Sequence, residues 1–146
     1  MILPDVNVLI AAFQEEHEFH AECRRWLEQT LTSDNAFGIS ELVLTAVVRI
    51  VTNPRAVRQP ASLTDALLFA DAVRRPGHAV RVSPGTRHWD IFTRLCREAH
   101  VRGPVVSDAY FAALAIEHGC EWVTLDSDYA RFPGLKWRRP AAAPLL

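Results

Sequence analysis

The sequence predicts an α/β fold in which helices cover both faces of a parallel sheet of short strands. Short, continuously apolar runs alternate along the chain with longer segments in which apolar residues recur at helical spacing. Strands that are apolar on both faces are typical of a parallel sheet covered by helices on each side. The chain has 146 residues, the size of one compact domain. We expect that domain to span residues 1–139, followed by a loose tail at residues 140–146.

The first half of the chain is predicted to contain two strands and three helices. Ser40 is a suitable N-cap for the third helix, and Asn53-Pro54 ends it. Residues 52–63 have no apolar period and contain two prolines, which predicts a loop. The apolar runs and helical periods place the elements as follows: strands at 2–4 and 36–39, and helices at 7–13, 18–31 and 41–51.

The second half is predicted to contain three more strands and three more helices. Thr64 or Asp65 caps a helix that runs through residue 73. Ser107 caps the last helix, and Gly119 ends it. The same patterns place the other elements: strands at 79–82, 122–125 and 135–138, and helices at 86–99 and 108–118.

The composition excludes several classes of protein. With 49% apolar and 23% charged residues, the chain is neither disordered nor fibrous. No stretch approaches the roughly 20 uninterrupted apolar residues of a membrane helix, and the N-terminal run lacks the features of a signal peptide. We therefore expect a cytoplasmic protein without membrane contact. The three cysteines form no Cys-x-x-Cys pair, which predicts reduced thiols. The net charge of −1 neither indicates nor excludes a nucleic-acid ligand.

Acidic residues stand where predicted strands end or predicted helices begin. They are Asp5, Glu41, Asp108, Asp126 and Asp128. The carboxyl ends of parallel strands form a common crevice, so these side chains are expected to converge. Each acid alone has a structural explanation, as a helix cap, a first-turn residue or a turn residue. As a set they would repel one another and raise one another's pKa unless a cation neutralised them.

The ligand chemistry of this acidic set favours a hard cation. All the candidate donors are oxygens, without His or Cys nearby in the sequence, and this suits Mg²⁺ or Mn²⁺ better than Zn²⁺. Carboxylate-held ions of this kind activate water and stabilise the leaving oxygen of a phosphodiester. Phosphodiester hydrolysis is therefore the expected reaction.

Four segments together resemble a known family. In chain order they are LPDVNVLIAA, SELVLTAVVRIVTNP, VVSDAYFAALA and WVTLDSDYARFPGL. They resemble the PIN domain, specifically the VapC-type toxins of bacterial type II toxin–antitoxin systems, over essentially the whole chain. The resemblance implies a three-layer α/β/α fold and a metal-dependent endoribonuclease with Mg²⁺ or Mn²⁺ as cofactor and RNA as substrate. It also implies a cognate antitoxin that blocks the site, and we expect a homodimer.

The resemblance assigns roles by position. It makes Asp5, Glu41 and Asp108 the core catalytic and metal-binding acids, Asp126 the fourth, and Asp128 a supplementary metal ligand. Two further polar residues match positions that hold the first and fourth acids in place, namely Asn7 and Thr124.

Four arginines flank the regions where the crevice should open, and any of them could bind an RNA phosphate. They are Arg49, Arg55, Arg58 and Arg102.

Two other functions stay open at this point. A PIN-like protein without catalysis would serve only as a binding partner, although the retained acids argue against it. An aspartate-based phosphotransfer or phosphatase domain also places Asp after its first strand. The phosphatase pattern requires a second Asp at the position of Asn7, and the receiver pattern requires a well-placed lysine, whereas Lys136 is the only lysine in the chain.

Overall fold

The computed structural model describes residues 1–141, which contain five strands and six α-helices. The strands are β1 (Ile2–Pro4), β2 (Phe37–Ile39), β3 (Ala79–Arg81), β4 (Glu121–Val123) and β5 (Trp137–Arg138). The helices are α1 (Val6–Phe13), α2 (His20–Thr32), α3 (Glu41–Val51), α4 (Leu63–Arg74), α5 (His88–Glu98) and α6 (Val105–Glu117), and a short 3₁₀ turn covers Ser127–Arg131.

The strands pair in parallel throughout the described part of the chain. β4 lies between β1 and β5, and β2 pairs with β3. β2 also passes close beside β1, where a side chain at Gly38 would come within 3.1 Å of the Ile2 carbonyl oxygen. The spatial order is therefore β3–β2–β1–β4–β5, with hydrogen-bonded pairing within the β1–β4–β5 group and within the β2–β3 group. The first residues of β1 and β2, Ile2 and Phe37, line one pocket, so the two groups run in the same direction and their strands end on the same side. The predicted α/β fold with a short parallel sheet is confirmed.

Helices cover the sheet in two groups. α1 packs against α2 and α3, α3 packs against α4, and α5 packs against α6. The strands supply fully buried side chains such as Leu3, Phe37 and Trp122, and α6 supplies Leu114. Trp122 stacks on Phe111 with ring centroids 5.8 Å apart. Each large side chain of this kind contributes about 1.5–3 kcal/mol through burial, so the core holds the short strands in place.

Two predicted helix caps are wrong. α4 is capped by Ser62, whose hydroxyl accepts a hydrogen bond from the Asp65 N–H, so neither Thr64 nor Asp65 is the cap. α6 begins at Val105, which places Ser107 inside the first turn and not at the cap. Pro104 explains the early start, because its fixed φ, here −59°, already suits a helix.

Three further predictions concern the C-terminal tail, the cysteines and membrane-spanning helices. Pro140 is buried and Ala141 is exposed, while the rest of the predicted tail, residues 142–146, lies outside the described residues. All three cysteines are free thiols, as predicted. Within residues 1–141, none of the helices combines the length and the apolar character needed to span a membrane.

Glu117 anchors the loop between β3 and α5. Its side chain is only 6% exposed, and its carboxylate accepts hydrogen bonds from the N–H groups of Gly85 at 2.7 Å and Arg87 at 3.0 Å. The Arg87 guanidinium donates to the Glu117 carbonyl oxygen at 2.6 Å. Burial raises the pKa of Glu117, but the two backbone donors, together with the charges of His118 and His88, hold it below its usual value. The loop that leaves β3 is thereby fixed to α6.

Replacing Glu117 with Gln is expected to lower the free energy of unfolding by about 1–2 kcal/mol, because a charged acceptor becomes a neutral one. Urea unfolding near neutral pH measures the loss. The contribution is fully present above the ordinary pKa of 4.5 and disappears as the pH falls through the lower pKa of the folded state.

The control for this measurement is Glu98→Gln, which removes an exposed i,i+4 pair with Arg94 on α5. It is expected to cost less than about 0.5 kcal/mol. Equal losses in the two variants would show that Glu117 does not anchor the loop.

Candidate active site

Asp5 is a buried carboxyl at the carboxyl end of β1. It is 5% exposed, and its Oδ1 accepts a hydrogen bond from the Val6 N–H at 2.6 Å, which caps α1. Its Oδ2 accepts from the Thr124 hydroxyl, also at 2.6 Å. Burial raises the pKa of Asp5 to about 7 despite these hydrogen bonds, and the charges of Asp108 and Asp126 add to the increase.

Thr124 connects the ends of β1 and β4. It is fully buried, and its hydroxyl donates to Asp5 while accepting from Asn7 Nδ2 at 3.2 Å and from the Asp126 N–H at 3.0 Å. A hydroxyl has one proton and two lone pairs, so every hydrogen-bonding position of Thr124 is used. Asn7 Oδ1 in turn accepts from the Leu125 N–H at 3.1 Å. Asn7 and Thr124 therefore bind the first and fourth predicted acids into one network.

Three of the predicted acids line one cleft of about 290 Å³. Asp5 and Asp126 come from the strand ends, and Asp108 comes from the first turn of α6. The Tyr129 hydroxyl donates to Asp108 Oδ1 at 3.3 Å. Burial, and secondarily the charges of Asp126 and Asp128, raise the pKa of Asp108. The cleft therefore carries an excess of negative charge.

The donor chemistry of this cleft fits Mg²⁺ or Mn²⁺. Carboxylate and amide oxygens face it, and His and Cys are absent from its lining within the described residues. Across residues 1–141, no three Asp, Glu, His or Cys side chains lie close enough together to form a complete metal-binding site. The cleft thus supplies suitable ligands and unbalanced charge, without a preformed coordination sphere.

The other two predicted acids, Glu41 and Asp128, form ion pairs with arginines. The exposed carboxylate of Glu41 pairs with Arg74 Nε at 3.2 Å and with Arg81 Nη1 at 3.8 Å, and it does not line the cleft of Asp5. The Asp128 side chain is 71% exposed and lies 3.5 Å from an Arg131 nitrogen. The structure therefore does not bring Glu41 and Asp128 into the central group, and their roles as metal ligands stay predictions.

Of the four arginines proposed to bind phosphate, only Arg49 lines the acidic cleft. Arg55, Arg58 and Arg102 are exposed residues outside its lining.

Sequence reasoning missed two residues of the site, Tyr129 and Arg131. Tyr129 contacts Asp108, and the charge of Arg131 lowers the pKa of Asp108 against the larger effect of burial. Both residues lie in the turn after Asp126, and Tyr129 follows that acid at a spacing of three. The aromatic residue three positions after Asp126 was the sequence feature that could have indicated a side chain beside the acids.

Comparison with known proteins identifies the family. The family profile described as PIN domain matches residues 2–135. The chain belongs to the PIN-domain family. The PIN domain is 39% identical over 140 residues to ribonuclease VapC25 of Mycobacterium tuberculosis, covering 96% of this chain and 99% of that protein. Ribonuclease VapC31 of the same organism is 37% identical over 140 residues, with the same two coverages. The predicted resemblance to VapC-type PIN domains is confirmed.

Solved structures show the same fold. A chain in the crystal structure of VapBC2 from Rickettsia felis bound to a promoter DNA fragment matches with a TM-score of 0.71. The match covers 95% of the PIN domain chain and 98% of that chain at 17% sequence identity, so it concerns the fold alone.

Asp108→Asn is expected to unfold at an equal or higher urea concentration than the wild type when chelator is present near pH 8. The substitution keeps the size of the side chain and an oxygen for Tyr129, and it removes one of the repelling charges. Chemical denaturation of the two proteins measures the difference.

The control for Asp108→Asn is Asp90→Asn, because Asp90 is the exposed acid in the first turn of α5. This variant loses a favourable interaction with the helix dipole and is expected to be less stable by up to about 1 kcal/mol. If Asp108→Asn is destabilised to the same degree, Asp108 is an ordinary first-turn acid.

The raised pKa of Asp5 predicts a pH dependence of stability in chelator. Between the usual pKa of 3.8 and the folded-state value of about 7, the folded protein keeps a proton that the unfolded chain releases. Wild-type stability is therefore expected to fall as the pH rises through this window, and Asp5→Asn should show a flatter curve. Urea unfolding over a pH series tests this, and parallel curves for the two proteins would contradict it.

Proposed function

We propose that this PIN domain is a metal-dependent endoribonuclease that acts as the toxin of a toxin–antitoxin pair. The observation that carries the proposal is the cleft shared by Asp5, Asp108 and Asp126, with its oxygen donors and unbalanced charge. The names of the similar VapC proteins support RNA as the substrate class. The alternative, a PIN-like protein that lacks catalysis and serves only as a binding partner, is less well supported, because three acids share one cleft.

Asp5, Asp108 and Asp126 are the residues that would hold the ion. When bound, Mg²⁺ or Mn²⁺ supplies a Lewis acid that activates water and neutralises charge on the phosphate. Thr124 fixes the orientation of Asp5 through its hydroxyl, and Tyr129 donates to Asp108. These contacts hold the carboxylates in place before substrate binds, which lowers the reorganisation required during reaction.

The proposed role in a toxin–antitoxin pair requires a protein partner. We propose a cognate antitoxin that covers the acidic cleft, and a homodimer of the PIN domain as the working assembly. The VapBC name of the Rickettsia felis structure supports the antitoxin partner. The chemistry of the cleft gives a reason for inhibition at this place, since a basic side chain of the partner would neutralise the same carboxylates.

The purified protein, free of antitoxin, is expected to cleave RNA in Mg²⁺ or Mn²⁺ and to lose this activity in excess chelator. Cleavage sites are mapped in total RNA, and a labelled fragment around one site then gives single-turnover rates. Asp5→Asn and Asp108→Asn should each lower the rate by at least about a hundredfold, because both disturb ion charge and geometry.

Asp90→Asn serves as the control in the cleavage assay and should retain wild-type activity, since Asp90 lies outside the cleft lining. Full activity in chelator would contradict the metal mechanism. A loss below about tenfold in both Asp5→Asn and Asp108→Asn would place the reaction elsewhere.

A further inference from the structure

Two arginines from different elements converge on one carboxylate beside the candidate active site. Arg74 ends α4 and Arg81 ends β3, and their nitrogens lie 3.2 and 3.8 Å from the two oxygens of Glu41. We refer to Arg74 and Arg81 as the arginine pair. All three side chains are well exposed, at 40% for Arg74, 67% for Arg81 and 60% for Glu41.

The arginine pair lies at the edge of the sheet that carries the acids. Glu41 follows β2 and Arg81 ends β3, so both stand at the carboxyl ends of strands, as Asp5 does. Arg49 lines the acidic cleft and also the groove between α3 and α4 that contains Glu41 and Arg74. Arg49 therefore stands between the acidic cleft and the groove along α3 that holds Glu41 and Arg74.

The arginine pair has unused capacity for an anion. Two guanidinium groups share the single carboxylate of Glu41, so this group of three side chains carries one positive charge, with Asp71 on the same groove one turn before Arg74. Arg74 donates through its Nε and Arg81 forms only a 3.8 Å ion pair through one Nη, and within residues 1–141 the other guanidinium N–H groups of the two side chains donate to no protein oxygen. A guanidinium presents its N–H groups as a planar fork that matches the oxygens of a phosphate.

We propose that the arginine pair binds a backbone phosphate of single-stranded RNA next to the acidic cleft, with Glu41 occupying the position of that phosphate in the free protein. The proposal rests on the proposed ribonuclease function. Exposed ion pairs are weak, so an RNA phosphate can displace the Glu41 carboxylate from Arg74 and Arg81. Glu41 keeps the two guanidinium groups oriented until RNA arrives.

This arrangement distinguishes the arginine pair from the loop arginines. Arg55, Arg58 and Arg102 are exposed, and none shares an anionic partner with a second arginine within the described residues. Two side chains that meet at one anion position form a site for a phosphate, whereas a single solvated side chain is not oriented by its surroundings.

The test is RNA binding by Asp108→Asn in chelator, where the RNA stays intact and metal binding contributes nothing. Fluorescence anisotropy of a labelled single-stranded RNA gives the affinity over a salt series. In this background Arg74→Ala and Arg81→Ala should each weaken RNA binding and reduce the slope of log affinity against log salt, and the double variant should reduce that slope by about 0.7, the contribution of one phosphate on a single strand. Arg81→Lys should keep the slope, since the charge remains, while binding more weakly.

The matched control is Arg24→Ala, because Arg24 forms an exposed pair with Glu28 on α2, outside the lining of the acidic cleft. Its salt slope should be unchanged. Glu41→Gln should bind RNA more tightly in chelator, because the competing anion is removed while the arginine pair remains. Melting temperatures verify that each variant is folded.

Unchanged slopes in both arginine variants, or weaker RNA binding by Glu41→Gln, would overturn the proposal. Normal RNA binding with loss of antitoxin inhibition would also overturn it, because the arginine pair would then bind protein and not RNA. Failure of the ribonuclease proposal gives a different result, namely altered slopes in the arginine variants and no RNA cleavage by the wild type in Mn²⁺.

Discussion

The parallel pairing of β1 with β4 is the constraint on which the candidate active site depends. It brings Asp5 within hydrogen-bond distance of Thr124, 119 positions later in the chain, and the Asp5 N–H extends the ladder by donating to the Val123 carbonyl oxygen at 2.8 Å. The same pairing buries the Asp5 carboxyl. A pKa raised from 3.8 to about 7 means that its ionised form costs about 4 kcal/mol, a large share of the 5–15 kcal/mol stability of a typical domain. The buried residues of β1 and β4, Leu3 and Trp122 among them, offset this cost.

The sequence predicted the positions of the acids better than the directions of their side chains. Apolar runs locate the strand ends, and a shared edge then follows from parallel pairing, which is why Asp5 and Asp126 could be placed together. The partners of Glu41 could not be predicted, because Arg74 lies 33 positions away on another helix and long side chains adopt many rotamers. The start of α6 was misplaced because a good capping residue, Ser107, was weighted above the backbone restriction at Pro104.

Charge is distributed unevenly along the carboxyl edge of the sheet, although the whole chain carries a net charge of only −1. The acids gather at the ends of β1 and β4 and in the first turn of α6, and the arginine pair stands at the ends of α4 and β3. A polyanion approaching the acidic cleft alone would be repelled in the absence of a cation. The neighbouring basic residues supply a place where such a ligand can be held, so the near-neutral total charge conceals a local arrangement suited to RNA.

The site consists of a rigid part and an adaptable part. Asp5 is buried and held by a hydroxyl whose hydrogen-bonding positions are all occupied, so its geometry is set by the fold. Glu41 and Asp128 are exposed, and each is paired with arginine through interactions that solvent weakens. The proposed ion would therefore meet the fixed carboxylate of Asp5 in the cleft, whereas the proposed phosphate would meet an exchangeable ion pair outside the cleft lining. Binding of that phosphate requires only the exchange of one weak ion pair for another, whereas any change at Asp5 would disturb the contact between β1 and β4.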